Sequence, residues 1–292
     1  MSNKNACLVT GCAGFIGRHL AKRLLDDGYR VIGVDNFVTG SHDPQDPRLE
    51  FIEADISDLS YKLPDETLDF VFHTAAIPRI PVSFERPVEI LTNNFNSTLW
   101  ALELCRRTQA KMIFSSSSSI YGNQDTYPVR EDMEPHPGSP YAVSKLISEK
   151  LCENYQEAFG VSFVALRYFN VIGTGMTTKN GYATVLPIWL EQKQRGEALT
   201  ITGDGSQLRD FTSVDDTVEA NILAMTKGQG VYNIGANNPR SVLEVAKMIS
   251  DDLVFIESRR EAKNTHADHA KAKAELGWQP TQTLEDVMKE IL

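Results

Sequence analysis

Short apolar segments alternate with longer amphipathic segments along the first 173 residues. The apolar segments are typical of strands buried on both faces, and the amphipathic segments have the spacing of helices with one buried face. Predicted strands cover residues 6–10, 30–34, 51–56, 70–76, 111–114 and 162–167. Predicted helices lie between them, at 18–25, around 94–105 and from 141 onwards. This alternation predicts an α/β fold with a doubly wound parallel sheet.

The last third of the chain lacks this regular alternation. Residues 174–181 have a loop-like composition, 182–195 predict a helix, and short strands are predicted at 199–201 and 231–235. We therefore expect two domains. Residues 1–173 would form the sheet domain, and residues 174–292 would form mainly a smaller, substrate-binding domain, with some segments returning to the first.

Composition narrows the range of partners. The chain has 292 residues with Asp+Glu 39 against Lys+Arg 29 and a formal net charge of −10, which argues against nucleic-acid binding. Its cysteines show no metal or disulfide spacing, so free thiols and no metal site are expected. No signal peptide or apolar run of spanning length is recognised, so we expect a cytoplasmic protein without a membrane partner. The cysteines are Cys7, Cys12, Cys105 and Cys152.

A glycine-rich turn joins the first predicted strand to the first predicted helix. Gly11, Gly14 and Gly17 permit a tight turn and a close approach of the backbone to a ligand. The helix N-terminus then presents N–H groups and a positive dipole end, which suit a pyrophosphate. The second strand ends at Asp35, at the spacing of an acid that binds the ribose hydroxyls of a dinucleotide.

The residues around Asp35 favour NAD over NADP. Asp35 would repel a 2′-phosphate, and Asn36 and Phe37 supply no arginine to receive one. The alternative is that Asp35 is an ordinary surface loop residue. The strand–turn–helix context favours the binding role.

A run of serines at 115–119 follows the fifth predicted strand, and Tyr141 and Lys145 lie on the next predicted helix. Residues four apart share one helical face, and an ammonium beside a phenol lowers the phenol pKa from its usual value of about 10. A serine hydroxyl, for which Ser117 is the candidate, can then pass a proton between a substrate alcohol and the phenolate. The alternative is an ordinary exposed helix pair, which a Tyr-x-x-x-Lys motif alone would favour.

Together these motifs resemble those of a known enzyme group. The glycine turn, Asp35, the serine run continuing into Tyr121-Gly122, Tyr141-x-x-x-Lys145 and the Arg167-Tyr168-Phe169-Asn170-Val171 segment are similar to the extended short-chain dehydrogenase/reductases. Specifically, they resemble the NAD-dependent nucleotide-sugar epimerase/dehydratase family, and Gly203-Asp204-Gly205 with Arg209-Asp210-Phe211 resembles its UDP-sugar members. The resemblance covers nearly the whole chain and implies a Rossmann-like fold with NAD as cofactor.

The resemblance implies a role for each matching residue. Ser117, Tyr141 and Lys145 would be catalytic, with Tyr141 as the base and Lys145 also binding the nicotinamide ribose. The implied cofactor-binding residues are Gly11, Gly14, Phe15, Ile16, Gly17, Asp35, Asn36, Asp55, Ile56, Ala75, Asn94, Tyr141 and Lys145. The implied substrate-binding residues are Ser117, Ser118, Ser119, Asn170, Arg209, Arg260 and Thr265.

Within the family, the resemblance points to the UDP-glucose and UDP-N-acetylglucosamine 4-epimerases. Dehydrating members carry Asp-Glu after the catalytic residue and decarboxylating members keep a Glu, whereas this chain has Ser118 and Ser119. Thr265 falls at a position near the sugar C2 substituent, where a small residue leaves room for an N-acetyl group. The segment at 259–264 departs from the family pattern, which leaves open whether Arg259 or Arg260 contacts the diphosphate.

The expected reaction is therefore NAD-dependent 4-epimerisation of a UDP-sugar through a 4-keto intermediate. A uronate epimerase or a 4-keto-sugar reductase is the alternative, and a non-catalytic NAD-binding module is less favoured. The resemblance also implies a homodimer in which the helices at 94–105 and 141–159 form a four-helix bundle. Leu146, Leu151 and Tyr155 are candidate contacts, and they are equally suitable as core residues.

Overall fold

The structure, a computed structural model, describes residues 5–40, 46–63, 67–178, 184–258 and 261–292. Its strands are β1 (Ala6–Thr10), β2 (Arg30–Asp35), β3 (Glu50–Glu53), β4 (Phe70–His73), β5 (Lys111–Ser117), β6 (Phe163–Tyr168), β7 (Val171–Ile172), β8 (Leu199–Thr202), β9 (Leu208–Arg209), β10 (Thr212–Ser213), β11 (Gly230–Ile234), β12 (Arg240–Ser241) and β13 (Leu253–Ile256). Its helices are α1 (Phe15–Asp26), α2 (Ile80–Glu85), α3 (Pro87–Thr108), α4 (Pro140–Phe159), α5 (Val185–Gln194), α6 (Val214–Thr226), α7 (Val242–Lys247) and α8 (Leu284–Ile291).

Seven of these strands form one parallel sheet in the order β11-β6-β5-β4-β1-β2-β3. Thr10 of β1 pairs with Val34 on one side and His73 on the other. The chain builds outwards from β1 to β3 and then crosses back to β4 on the opposite side of β1. This reversal between β1 and β4 opens a crevice at the carboxyl ends of the strands, which is where doubly wound folds bind their ligands.

Helices cover both faces of the sheet, which confirms the predicted fold class. On one face, Leu20 and Leu24 of α1 and Val218 of α6 pack into a cluster with strand residues such as Val9 and Phe72. On the other face, apolar residues of α3 and α4 pack against apolar strand residues. The helix residues include Trp100, Leu102 and Cys152, and the strand residues include Leu8, Val71 and Phe114. Burial of strand side chains on both sides explains why the strand sequences are continuously apolar rather than alternating.

The last third of the chain has its own apolar cluster around Trp189, Leu199, Ile201, Val245 and Met288. Short two-stranded pairs surround this cluster: β7 with β10, β9 with β12, and β8 with β13. By contrast, α6 packs on α1 and β11 joins β6 at the edge of the large sheet. The division expected at residue 173 stays a prediction.

Several predicted boundaries are shifted. The third strand ends at Glu53 rather than at residue 56, so Asp55 and Ile56 lie in the turn that follows. The fourth strand ends at His73, because the segment after it bends away to line the crevice. Within the described ranges, no helix combines the length and apolar character needed to cross a bilayer.

Candidate active site

The glycine turn between β1 and α1 is tightly built. Gly11 adopts a left-handed backbone with φ of 71°, and a methyl group placed on it would come within 2.8 Å of the Ala75 backbone. A methyl group on Gly17 would lie 2.1 Å from the Gly11 carbonyl oxygen. Helix α1 begins after Gly14 without a side-chain cap, so its first N–H groups face outwards unpaired by any side chain. These features fit a dinucleotide pyrophosphate.

Asp35 is fixed at the end of β2. Its Oδ2 accepts a hydrogen bond from the Ala13 backbone at 2.9 Å, and its Oδ1 accepts one from the Phe37 backbone at 2.8 Å. The side chain is buried, and this burial raises the pKa of Asp35 while the two N–H groups oppose the rise. The carboxylate is therefore held rigidly at the crevice, with lone pairs left to receive ribose hydroxyls.

The crevice runs from the glycine turn past the ends of β2 and β4. Its lining includes the predicted residues Gly11, Asp35, Asn36, Asp55 and Ala75. It also includes Val38, Thr39, Ser57, Ala76, Ile77, Asn93 and Ser97, which the sequence analysis did not single out. Asn93 and Ser97 are one helical turn apart on α3 and therefore share one face of the helix. This polar spacing is the sequence signal that could have predicted their place in the crevice lining.

Three predicted cofactor residues lie behind this surface rather than on it. Ile56 is buried in the core on the α3 side of the sheet, and Ile16 packs against the core on the α1 side. Asn94 is fully buried: its Oδ1 accepts from the Ile77 backbone at 2.8 Å, and its Nδ2 donates to Ser144 Oγ at 3.0 Å. Asn94 thus holds the crevice loop in place, and the neighbouring Asn93 faces the ligand space.

Phe15 of α1 and His73 of β4 make contacts within the protein. The ring of Phe15 contacts His19 edge-on, with ring centroids 5.6 Å apart, and lies near Gly173. His73 is buried and has a pKa lowered to about 3 by burial and by the charge of Lys145. Its Nδ1 lies 2.9 Å from Thr10 Oγ1, which ties β4 to β1. Among the described residues, no group of acidic, histidine or cysteine side chains is arranged to hold a metal.

Ser117, Tyr141 and Lys145 come together at the carboxyl end of β5. Helix α4 starts at Pro140, capped by Ser139, whose hydroxyl accepts from the Ala142 backbone at 3.2 Å. Tyr141 is therefore in the first turn, where the Ser117 hydroxyl is close enough to its phenol to lower the phenol pKa. Lys145, one turn later, donates from Nζ to the Ser115 carbonyl at 2.7 Å and lies 4.9 Å from the centre of the Phe114 ring.

Burial governs the titration of this group. Tyr141 as a residue is half-buried, but its phenol is surrounded by protein, and burial raises the Tyr141 pKa to about 12, opposed by the Ser117 hydroxyl. Burial also lowers the Lys145 pKa to about 8, opposed by the charge of Glu149. The expectation that Lys145 lowers the Tyr141 pKa stays a prediction.

The serines after Ser117 form a short 3₁₀ turn over Ser118–Tyr121. Ser117 Oγ lies 2.9 Å from Ser119 Oγ and accepts from the Ser119 backbone at 3.2 Å. Ser119, Ser117 and Tyr141 thus form a row of hydroxyl groups. This row places no carboxylate at the two positions after Ser117.

The remaining predicted substrate residues form a second group on the C-terminal side. Asn170, at φ of 34°, donates from Nδ2 to the Asp210 carbonyl and to Thr265 Oγ1, both at 2.9 Å. Arg209 is buried and donates from Nη1 to the carbonyls of Leu208 and Lys263, while its Nη2 lies 3.3 Å from Glu261. Arg209 and Thr265 are therefore engaged by the chain itself. Arg259 and Arg260 lie outside the described residues.

The sequence of residues 7–235 matches the NAD dependent epimerase/dehydratase family. The chain belongs to this family. The resemblance seen in the sequence is thereby confirmed, and NAD, the expected cofactor, is the cofactor that gives the family its name.

Members of different specificity resemble this chain to a similar degree. A UDP-glucose 4-epimerase structure from Thermotoga maritima, with UDP-glucose, is 34% identical with a TM-score of 0.92, over 97% of this chain and 96% of that one. A UDP-glucuronic acid 4-epimerase structure from Bacillus cereus, with UDP-glucuronic acid and NAD, is 35% identical with a TM-score of 0.89, over 98% and 97%. A UDP-N-acetyl-α-D-glucosaminuronate decarboxylase from Bacillus cytotoxicus is 34% identical over 99% and 97%. Overall identity therefore does not select the substrate.

Proposed function

We propose that this protein is a cytoplasmic enzyme that interconverts the C4 epimers of a UDP-sugar through a 4-keto-sugar. The observation that carries the proposal is the convergence of three residues: Ser117 at the carboxyl end of β5 lies close enough to the Tyr141 phenol of α4 to lower its pKa, with Lys145 one helical turn away. NAD, when bound, would supply the hydride chemistry at C4 of the sugar. The protein's own task is then to hold the sugar and to move one proton on and off its C4 oxygen.

Ser117 and Tyr141 provide the path for that proton. The Ser117 hydroxyl can accept the proton of the C4 hydroxyl while it donates its own to the Tyr141 phenolate. With a pKa of about 12, Tyr141 keeps its proton at neutral pH until positive charge beside it favours the phenolate. Lys145 is placed to provide such charge.

Ser118 and Ser119 favour epimerisation over the reactions of related enzymes. Removal of a group from C5 or C6 requires an acid or base beside the sugar, and a serine hydroxyl is a poor substitute for a carboxylate. The decarboxylase relative is as similar to this chain as the 4-epimerase is, at 34% sequence identity. The residues at positions 118 and 119 are therefore the basis for choosing between the two reactions.

Substrate contacts are proposed for the C-terminal group. We assign the diphosphate to Asn170, Arg209 and Arg260, and we assign the surroundings of the sugar C2 substituent to Thr265. Arg209 presents a fixed planar donor set, which suits phosphate oxygens. The smaller domain at 174–292 would then close over the nucleotide end of the substrate, opposite the NAD crevice.

A homodimer built through α3 and α4 is part of the proposal. Val88 and Phe95 of α3 and Ile147 of α4 are exposed to 75%, 37% and 40%. Exposed apolar side chains on two helices that pack together are candidates for an association surface. Leu146 and Leu151 are half-buried and remain candidates, but Tyr155 is buried and donates to Glu103 at 2.8 Å. Tyr155 is therefore a core residue rather than a contact.

The proposal is tested with a panel of UDP-sugars: UDP-glucose, UDP-N-acetylglucosamine and UDP-glucuronic acid. Each is incubated with the purified protein and NAD, and the C4 epimers are resolved by proton NMR. We expect interconversion without net change in NADH. Tyr141→Phe should abolish it, whereas Tyr29→Phe, at the opposite end of the sheet, should not.

Other outcomes would point elsewhere. Net oxidation of added NADH with a 4-keto-sugar would indicate a reductase, and release of CO2 from the uronic acid would indicate a decarboxylase. No reaction with any sugar by a protein that binds NAD would favour a non-catalytic module. Full activity in Tyr141→Phe would contradict the assigned base.

A further inference from the structure

Helix α4 carries a third ionisable residue in line with Tyr141 and Lys145. Glu149 follows Lys145 by four residues, so the three side chains share one helical face. Glu149 and Lys145 are among the most buried charged residues, at 1% and 4% exposure. A buried carboxylate is rare unless it is paired, so its presence behind a catalytic lysine calls for a physical reason.

The Glu149 carboxylate is fully hydrogen-bonded. Its Oε1 accepts from Arg167 Nε at 2.9 Å and from Ser116 Oγ at 2.5 Å, and its Oε2 accepts from Arg167 Nη2 at 2.7 Å. The bond from Arg167 is bidentate, which is the strongest geometry for holding a carboxylate ionised. Arg167 is itself held over the Tyr121 ring, with its guanidinium carbon 4.8 Å from the ring centre.

Lys145 has weaker partners of its own. Its Nζ donates to the Ser115 carbonyl and lies over Phe114, and neither of these groups carries a formal charge. Burial in such surroundings disfavours an ammonium. Glu149 is therefore the anion best placed to stabilise the charge of Lys145.

We propose that Glu149 is a positioning residue for proton transfer, whose buried carboxylate, held by Arg167 and Ser116, keeps the Lys145 ammonium charged beside Tyr141. This inference rests on the proposed function, because it takes Lys145 as the cation that favours the Tyr141 phenolate. It also gives a role to Arg167 and Tyr121, two residues of the family-like motifs that the catalytic group leaves unused.

The other ionisable groups near Lys145 do not supply this charge. His73 on β4 is neutral at physiological pH, because burial and Lys145 lower its pKa to about 3. Cys152, further along α4, is a buried thiol whose pKa is raised well above its usual value, so it is uncharged. Tyr141 keeps its proton in the ligand-free protein, and Arg167 is cationic and paired with Glu149. Glu149 thus remains as the negative charge acting on Lys145, whose pKa it raises.

The serine run explains how the arrangement is kept in register. Ser115 accepts from Lys145 through its carbonyl, and Ser116 donates to Glu149. Two consecutive residues of β5 therefore each hold one of two residues spaced by one turn on α4, and Ser117, the next residue of the strand, acts on the Tyr141 phenol. A slip of the helix along the strand would break both hydrogen bonds.

The test is a direct titration of Lys145 by NMR, in protein labelled with ¹³C at lysine Cε. The Lys145 signal is identified by its absence in Lys145→Met. In Glu149→Gln we expect the titration midpoint to fall by about one to three pH units, the usual effect of an adjacent opposite charge. Glu149→Asp keeps the charge and should restore most of the shift. Ser116→Ala removes a hydrogen bond but no charge and should leave the midpoint within about half a unit.

Because Glu149→Gln leaves Arg167 without its carboxylate, it can fail to fold. Glu149→Gln combined with Arg167→Met buries neither charge, and its Lys145 midpoint should still lie below that of the wild type. An unchanged midpoint in a folded variant lacking Glu149, or an equal fall in Glu149→Asp, would overturn the inference. The titration needs no substrate, so a failure of the proposed epimerase activity would leave the two results distinguishable. Where activity is found, the alkaline limb of kcat should move to lower pH in Glu149→Gln.

Discussion

Asn94 of α3 and Ser144 of α4 are joined by a 3.0 Å hydrogen bond that ties the crevice loop to the catalytic helix. The same Asn94 side chain accepts from the Ile77 backbone and donates to its carbonyl. One buried amide thus connects the helix that presents Tyr141 and Lys145 with the loop that lines the dinucleotide crevice. The Asn94 side chain is fixed by these buried contacts, and we expect it to influence NAD binding indirectly, through the crevice loop.

Variants of Asn94 and Asn93 distinguish a residue that supports the crevice loop from a residue that contacts NAD directly. Asn94→Ala leaves buried partners unpaired, so the free energy of unfolding should fall by about 2 kcal/mol or more. NAD affinity should fall with it, because the loop loses its anchor. In Asn93→Ala, NAD affinity should fall while stability changes by less than about 0.5 kcal/mol. Urea unfolding and NAD titration measure both; equal stability of the two variants would contradict the assignment.

Asp35, at the end of β2, and Asn36, directly after it, are expected to set the cofactor preference. In Asp35→Ser combined with Asn36→Arg, the carboxylate that repels a 2′-phosphate is removed and a guanidinium that can bind it is added. We expect NAD affinity to fall about tenfold or more and NADP to become the tighter ligand. Asp55→Asn is the control: its carboxylate is engaged by Ser57 at 2.7 Å, so the ratio of the two affinities should stay unchanged. Calorimetric titration with each nucleotide decides the outcome.

Burial of Lys145 predicts a pH dependence of stability. Its pKa is about 8 in the folded protein and about 10.4 when unfolded, so the unfolded chain binds more protons between these values. The unfolding free energy of the wild type, relative to Lys145→Met, should therefore rise with pH, by about 2–3 kcal/mol from pH 8 to 10.4. Chemical unfolding of both proteins from about pH 7 to about pH 10.4 measures this difference, and the titration of Tyr141 cancels because both proteins carry it. A constant difference would show that Lys145 is not desolvated.

The apolar face of α3 and α4 predicts the oligomeric state. We expect a dimer by light scattering and a monomer for Phe95→Glu combined with Ile147→Glu, because charges at these positions would be buried without partners. Phe255→Glu is the matched control, since Phe255 is exposed to 54% on β13, away from these helices. Dissociation by the control variant, and not by the helix variant, would place the interface elsewhere.

Local motifs were predictable from the sequence because their geometry depends on neighbouring residues. The β1–turn–α1 unit needs glycines at fixed places, and Asp35 follows a strand whose end is set by its own apolar run. Tyr141 and Lys145 lie one turn apart on α4, as their spacing in the sequence predicts. These features lie where the sequence indicated.

Features that depend on packing between distant segments were not predictable. Nothing near Arg209 in the sequence shows that Glu261 and the Lys263 carbonyl engage it, and nothing near Glu149 shows that Arg167 pairs with it. The raised pKa of Tyr141 has the same origin, because desolvation is set by the whole surrounding fold. The turn that holds Asp55 begins earlier than expected because β3 has only four residues.

The ion pair between Arg209 and Glu261 makes any phosphate that reaches this arginine a competitor of the protein's own carboxylate. The affinity for a nucleotide would then reflect the exchange of the Glu261 carboxylate for a phosphate group on Arg209. The segment at 261–263 would be released as the phosphate binds. If Arg209 binds the diphosphate as proposed, its guanidinium is neutralised by Glu261 before the substrate binds, and substrate binding would be coupled to a movement of the chain beside it.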